Sequence, residues 1–484
     1  MSAASAKPFY ITTTLPYVNG EPHIGFAMEL VRADIIARAK RLEGFDVFFN
    51  TGTDEHGAKI HEKAKQLHVE TQVFVDGAAS RFKALIPALG IMPEVAFTRT
   101  TDARHIAAAQ EFWKIAHKNG LIYKKNYKIK YCIGCELEKT ESDLVDGKCP
   151  LHPLTDIQII DEENYFFRFS LYQKPLMDLY ERCPDFVVPR SRLNEIQAFV
   201  ERGLEDFSIS RLASKMPWGI PVPDDTEHVM YVWFDALVNY ISAIGWPDNA
   251  RIFNKWWVQS GGVVQYCGKD NLRQQASMWQ AMLMAAKLPP SRQIVIDGFI
   301  TGEGGVKMSK SLGNTVDPFE IIKEYGTDAF RYYVARELQP FEDSPFTMEK
   351  FKEAYNAHLA NGLGNLVSRV MKMAEAHIQT IKLPTYVWPK EFIQAINGYD
   401  LKSACDLIWN KIAGLDALIQ KEEPFKKVKV DSTKRQAIAR IEDLVAGLFE
   451  ISILLEPILP ESAAAIAGCL KENKVPAKPL FMRK

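Results

Sequence analysis

The sequence predicts an α/β protein: a parallel-sheet domain, a cysteine-bearing segment inserted into it, and an all-helical C-terminal end. Three observations carry that prediction. The chain opens on a strand, a tight turn and a helix. Strand-like runs return after residue 220. Beyond Ala354, apolar residues recur only at helical spacing.

Phe9 to Leu15 is rich in aromatic and β-branched residues, which suit a pleated, packed surface. Pro16, Asn19, Gly20 and Pro22 end the run. Ile24, Met28, Val31 and Ile35 then share one face, predicting a helix from Ile24 to Leu42. Asp46 to Thr51 reads as a second buried strand, running into Thr53-Asp54-Glu55-His56-Gly57. Residues 119–220 hold three closely spaced cysteines and many aromatics and read as an insertion. Met230 to Trp233, Val263 to Cys267 and Gln293 to Ile296 read as strands of the domain's second half. Leu359, Leu363, Leu366, Val370 and Met371 mark a first C-terminal helix. Leu407, Ile408, Ile412 and Leu415 mark another. Ile441, Leu444, Leu448, Ile451 and Leu455 mark a further one, with Pro384 and Pro389 as punctuation. The expected domains are residues 1–118 and 221–306 for the two halves of the α/β domain, and 119–220 for the insertion. Residues 307–354 are expected to be a lysine-bearing loop with its linking segment, and 355–484 a helix bundle.

The chain has 484 residues, 47 % apolar and 25 % charged, the balance of a multi-domain globular protein. Fifty-nine Lys and Arg against 60 Asp and Glu give no bulk attraction to nucleic acid. RNA binding would need the basic groups sorted onto one face. No apolar run approaches the roughly 18 residues of a membrane span, and residues 1–7 do not fit a secretory signal, so no membrane contact is expected. Seven cysteines, an odd number spread widely, favour a reducing cytoplasm.

Three motifs carry chemistry. Pro22-His23-Ile24-Gly25 stands where a strand turns into a helix. Helix amino ends present unpaired N–H groups that suit phosphate. Gly25 clears space there, and His23 can donate to growing phosphate charge. Lys307-Met308-Ser309-Lys310-Ser311 follows Gly302, Gly304 and Gly305, and puts two cations on a turn able to close on a triphosphate. Cys132-x-x-Cys135 with Cys149-x-x-His152 brings four nitrogen and sulfur ligands close in sequence, the pattern of a structural, tetrahedral zinc knuckle.

Taken in order on an α/β framework, His-Ile-Gly and Lys-Met-Ser-Lys-Ser resemble the signature pair of class I aminoacyl-tRNA synthetases. Phe26 stands where that family's first motif usually ends in a second histidine. Three further segments resemble the methionyl branch: Leu15-Pro16-Tyr17-Val18-Asn19-Gly20, Tyr231-Val232-Trp233-Phe234-Asp235-Ala236 and Gly268-Lys269-Asp270-Asn271. The resemblance runs through nearly the whole chain. It implies a Rossmann-type catalytic domain that activates methionine with ATP and Mg²⁺ and charges tRNA(Met). His23, Lys307 and Lys310 take the catalytic positions. Gly25, Lys269, Asp270 and Ser309 join them around ATP. Leu15, Tyr17, Asp54, Trp233, Leu237, Tyr240, Gln275 and Trp279 take the methionine positions, Asp54 holding the ammonium. Aromatic faces suit a thioether. Leu237 and Gln275 depart from residues common in the family.

An apolar pocket discriminates one methylene by only roughly 1–3 kcal/mol, and leucyl, isoleucyl and valyl relatives add a large editing domain. The stretch between the two signatures leaves no room for one. A cysteinyl-type enzyme would place zinc within the substrate pocket, whereas this knuckle falls in the insertion. A synthetase-like tRNA-binding protein without activity is the non-enzyme alternative. In the helical end, Asn365 and Arg369 project from one face and resemble the family's anticodon-reading pair. Phe425 stands where the family often stacks a tryptophan. The chain ends soon after its bundle, and a monomer is expected.

Overall fold

The computed structural model describes residues 6–135, 137–139, 141–305, 308 and 316–484. Strand β1 (Pro8–Thr13), helix α1 (Ile24–Leu42) and strand β2 (Asp46–Thr53) form the opening unit. β1 is buried along its whole length, as a strand covered on both faces must be. Its pleat still sorts side chains. Phe9 and Ile11 enter the core shared with α1 and the C-terminal helices, while Tyr10 enters the core beneath the inserted segment. β1 pairs in parallel with β2 on one side and with Val263–Gly268 on the other. Strand β3 (Ala96–Arg99) flanks β2, and Gln293–Asp297 and then Val187–Val188 complete a six-stranded parallel sheet.

The inserted residues build a four-stranded antiparallel sheet from Leu137–Lys139, Ile122–Cys132, Gln158–Phe167 and Phe207–Ser208. They also lend the main sheet its edge strand, Val187–Val188. The run Met230–Trp233 differs from its expected form. The strand is Asp225–Met230, in a small antiparallel sheet with Pro221–Val222 and Ser210–Leu212, and Val232–Ala236 is helical. The aromatic run has strand propensity, but one helical turn buries Phe234 and leaves Trp233 part-exposed. Tertiary packing overrides propensity here.

Helix Asn365–His377 continues the helical run that begins at Met348, and packs with Leu401–Glu422, Asp431–Leu455 and Pro460–Glu472. Its apolar stripe, Leu359 to Met371, joins one core with α1 and one face of the sheet. Two buried arginines lock that union. Arg32 pairs with Asp297 at 3.0 Å and donates to the carbonyls of Val334, Leu338, Gln339 and Pro340. Arg331 pairs with Asp34 at 2.8 Å and donates to the carbonyls of Leu89, Pro457 and Ile458. A planar five-donor fork can satisfy itself away from water in this way, which a buried charge requires. No helix among the described residues is long and apolar enough to cross a membrane.

Arg331→Met would leave Asp34 buried with one partner fewer. It is expected to lower stability by about 3–5 kcal/mol in urea denaturation, against at most about 1 kcal/mol for Arg41→Met in the exposed Arg41–Glu94 pair.

Candidate functional site

A cavity of about 590 Å³ opens where β1, β2 and Val263–Gly268 end, the edge at which open parallel sheets place ligands. Leu15, Tyr17, Asp54, Trp233, Leu237, Tyr240 and Gln275 all line it. The segment after β1 follows the end of β2: the Asp54 amide donates to the Pro16 carbonyl at 3.0 Å, and the Val18 amide donates to the Asp54 carbonyl at 3.1 Å. That pairing sets Tyr17 and Asp54 side by side. Gln275 donates to the Tyr240 hydroxyl at 2.7 Å. Burial holds the Tyr240 phenol well above its ordinary range, so it stays neutral. Trp279 does not reach the cavity. It is fully buried behind Tyr240, with ring centroids 5.8 Å apart, and stiffens that wall.

A second cavity of about 220 Å³ adjoins the first, and His23, Glu29, Asp270, Asn271 and Met308 border both. His23 caps α1, its Nδ1 accepting the Gly25 N–H at 3.1 Å. Accepting there leaves Nε2 as the protonated nitrogen of the neutral ring, a donor for an anion. A Cβ on Gly25 would sit 3.0 Å from His23 Cε1, so glycine keeps that ring seated. The Ile24 amide donates to the Val316 carbonyl at 3.2 Å, which brings the chain beyond the lysine-bearing pentapeptide back to the start of α1. Lys307, Ser309 and Lys310 lie outside the described residues, and Met308, which is described, borders both cavities. Lys269 does not line either cavity. Its Nζ pairs with Asp343 at 2.6 Å. Phe26 packs edge-on against Phe82 at 5.5 Å, and the two rings join the core while also lining the larger cavity.

Sequence reasoning missed Glu29. It is 7 % exposed between the two cavities, and its Oε1 accepts from both the amide and the hydroxyl of Thr14 at 2.7 Å. Burial pushes its carboxyl up to about 8, against the two Thr14 hydrogen bonds. A lone carboxylate within Ala27-Met28-Glu29-Leu30-Val31 was the available signal. Asp235, within Tyr231-Val232-Trp233-Phe234-Asp235-Ala236, carries a second buried carboxylate near the site. It lies fully buried with its Oδ2 3.1 Å from His56 Nδ1, and His105 stands on its other oxygen. Burial raises its carboxyl, but the two imidazoles outweigh that and hold it below its usual range.

The ligand atoms of Cys132, Cys135, Cys149 and His152 all lie within 4.8 Å of one another. Cys135 and Cys149 sulfurs are 3.6 Å apart, and His152 Nδ1 is 3.8 Å from Cys132 Sγ. Sulfurs about 2.3 Å from a tetrahedral zinc would stand at such separations. A Cβ on Gly134 would fall 2.2 Å from His152 Cγ, so the turn must be glycine for the imidazole to close the set. The knuckle does not stand apart from the pocket, as its place in the insertion implied. Gly134, Cys135 and His152 form part of the 590 Å³ cavity's wall, and Lys59 ties them down by donating to the Gly134 carbonyl at 2.6 Å. Chain folding, not sequence position, brings it there, so the separation argued against a cysteinyl-type enzyme does not hold.

On the bundle, Asn365 is exposed, and Arg369 is half-exposed and pairs with Asp416 at 2.8 Å. Phe425 is 41 % exposed on a separate short helix, with Lys426 Nζ 5.8 Å from its ring.

Residues 9–158 and 140–371 match the family model of class I tRNA synthetases (M). The chain is 39 % identical over 490 residues to the methionine–tRNA ligase of Synechocystis sp., covering 96 % of this chain and 90 % of that one. It is 39 % identical to that of Thermotoga maritima, covering 97 % and 76 %. The Mycobacterium tuberculosis methionyl-tRNA synthetase, solved with methionyl-adenylate, superposes with a TM-score of 0.87 at 33 % identity, over 99 % of this chain and 98 % of that one.

The raised carboxyl of Glu29 yields a pH test. An unfolded glutamate ionises near 4.5 while the folded one holds its proton to about 8. Stability linked to Glu29 is therefore whole below the lower value and falls as pH rises through the upper one. Glu29→Gln is expected to flatten the decline in melting temperature between about pH 5 and 9; parallel curves for parent and variant would refute the assignment.

Proposed function

The chain belongs to the class I methionyl-tRNA synthetases, and from that premise we propose how its residues divide the work. It is a methionine–tRNA ligase, forming methionyl-adenylate from methionine and ATP and passing the methionyl group to the 3′ end of tRNA(Met). The observation that carries the assignment of roles is the pair of joined cavities, one with Tyr17, Trp233, Leu237 and Tyr240 in its wall beside the Asp54 carboxylate, the other at a helix amino end.

Methionine occupies the larger cavity. Trp233, Tyr17, Leu15, Leu237 and Tyr240 surround the thioether, Gln275 fixes the Tyr240 hydroxyl, and Trp279 backs that ring. Asp54, 7 % exposed at the end of β2, takes the ammonium. Adenosine occupies the smaller cavity beside Asp270, with Gly25 giving room at the start of α1. Methionine's carboxylate oxygen then attacks the α-phosphorus, and the bond to the bridging oxygen breaks with its electron pair leaving on pyrophosphate. His23 Nε2–H and the α1 amino end stabilise the charge that grows on the phosphates. Lys307, Ser309 and Lys310 supply the charge and donors that steady the departing pyrophosphate, a role supported by Met308 at the cavity and Val316 at Ile24. Mg²⁺ enters as the counter-ion of ATP. Lys269, engaged by Asp343, shapes the turn that carries Asp270. In the second step the terminal ribose hydroxyl attacks the methionyl carbonyl and AMP leaves, with no covalent enzyme intermediate.

Cys132, Cys135, Cys149 and His152 would hold zinc, which would supply a structural cross-link to the inserted segment. Asn365, Arg369 and Phe425 meet the anticodon, reading base edges and offering a stacking face. Seven unbridged cysteines fit a protein working in the cytoplasm.

Pyrophosphate exchange into ATP should require methionine and fail with leucine or cysteine. Exchange driven better by cysteine would overturn the substrate. Lys310→Ala is expected to slow exchange by about 10²–10³-fold, the scale of one charge-stabilising donor, while methionine binding followed by tryptophan fluorescence stays nearly intact. Equal loss of both would refute that role. Metal analysis should find one zinc per chain, and Cys149→Ser should release it and lower the melting temperature. A metal-free protein of full stability would overturn the knuckle.

A further inference from the structure

A cavity of about 380 Å³, distinct from the two above, shares Trp233 with the methionine cavity as a common wall. The inserted segment contributes Phe199 and Phe207 to it, and the helical stretch after Gly268 contributes Gln274. The mechanism above makes no use of it. Its rim gathers Lys139, Arg202 and Arg273 against Asp143 and Glu205, a local excess of positive charge in a chain whose net charge is −1, and Arg211 lies buried in its wall, donating to Ser208 Oγ and the Ser210 carbonyl. The guanidinium of Arg273 lies 4.5 Å over the Phe199 ring with its side chain exposed, and that of Arg211 lies 4.3 Å over Tyr231.

Two polar atoms in its wall lack hydrogen bonds among the described residues. Gln274 is 4 % exposed and its Oε1 accepts none. Trp233 Nε1, also buried, donates none. Buried groups in that state favour a ligand offering a donor and an acceptor together. A nucleobase presents both on one edge, a π-face to meet Phe199, and a phosphate to meet the guanidinium groups. Cations interleaved with aromatics are the recognition chemistry of single-stranded nucleic acid, and a concave site of this size admits one unstacked nucleotide but no duplex.

We propose that this cavity seats an unpaired nucleotide of the tRNA's 3′ tail, while the terminal ribose reaches past Trp233 to the methionyl group. The proposal rests on the methionine–tRNA ligase reading, which supplies a polynucleotide whose tail must end in the neighbouring cavity. Seating one base there would fix the tail's direction for the second step without touching the first.

The test uses the full enzyme, a tRNA(Met) transcript, and the same transcript lacking its unpaired 3′ nucleotides. Arg273→Ala, and separately Phe199→Leu, should leave methionine-dependent pyrophosphate exchange within about twofold of the parent and lower aminoacylation kcat/KM for tRNA by about tenfold, the scale of one stacked base. Affinity for the intact transcript should fall in both variants, while affinity for the shortened one stays at the parent's value. Equal weakening for both transcripts, or none for either, overturns the proposal. Absence of methionine-dependent exchange in the parent would instead overturn the ligase reading beneath it.

Discussion

The amino end of α1 is the constraint on which the site depends. His23 turns its ring onto the Gly25 amide, a local cap, and the Ile24 amide donates to the Val316 carbonyl, so one of the helix's first-turn donors ties together parts of the chain nearly 300 residues apart. The same helix is clamped farther along by Arg32 to Asp297 and by Asp34 to Arg331. The end that meets phosphate and the middle that holds the helical domain thus belong to one rigid rod. A shift at the bundle would load the two buried ion pairs that hold α1, and through α1 the end that meets phosphate.

Much of this was legible in the amino-acid order. The bounds of α1 follow from its apolar spacing and its proline-rich approach, and the structure reproduces them from Ile24 to Leu42. The bundle's stripe was legible for the same reason. Seven of the eight residues expected around methionine line one cavity: Leu15, Tyr17 and Asp54 follow the ends of β1 and β2, and Trp233, Leu237, Tyr240 and Gln275 come from short helical segments that face them. Trp279 shows the limit of such reading: a motif places a residue near a site but not in the first layer or the second. Glu29 was missed because its meaning lies in what surrounds it, a dielectric that only the fold creates. The helical turn at Val232–Ala236 was misread because aromatic runs favour strands until tertiary packing decides otherwise.

The knuckle's position was invisible for a different reason. Its four ligands are close in sequence, so their clustering is local and predictable, but its approach to the cavity depends on how the long Ile122–Cys132 and Gln158–Phe167 hairpin leans. Lys59 fastens it there through a single backbone carbonyl. Charge follows the same logic. A chain with balanced totals still gathers cations and rings beside Trp233, because sorting is a property of surfaces and not of sums.

One border of the main sheet, opposite β3, is a strand of only two residues, Val187–Val188, supplied by the insertion and followed at once by Pro189 and a helix from Arg190. So brief a rim offers a foreign strand almost no ladder to extend, and the proline withholds the next donor. The loan of those two valines therefore guards this edge of a strongly apolar parallel sheet against edge-to-edge aggregation, a solubility safeguard independent of catalysis.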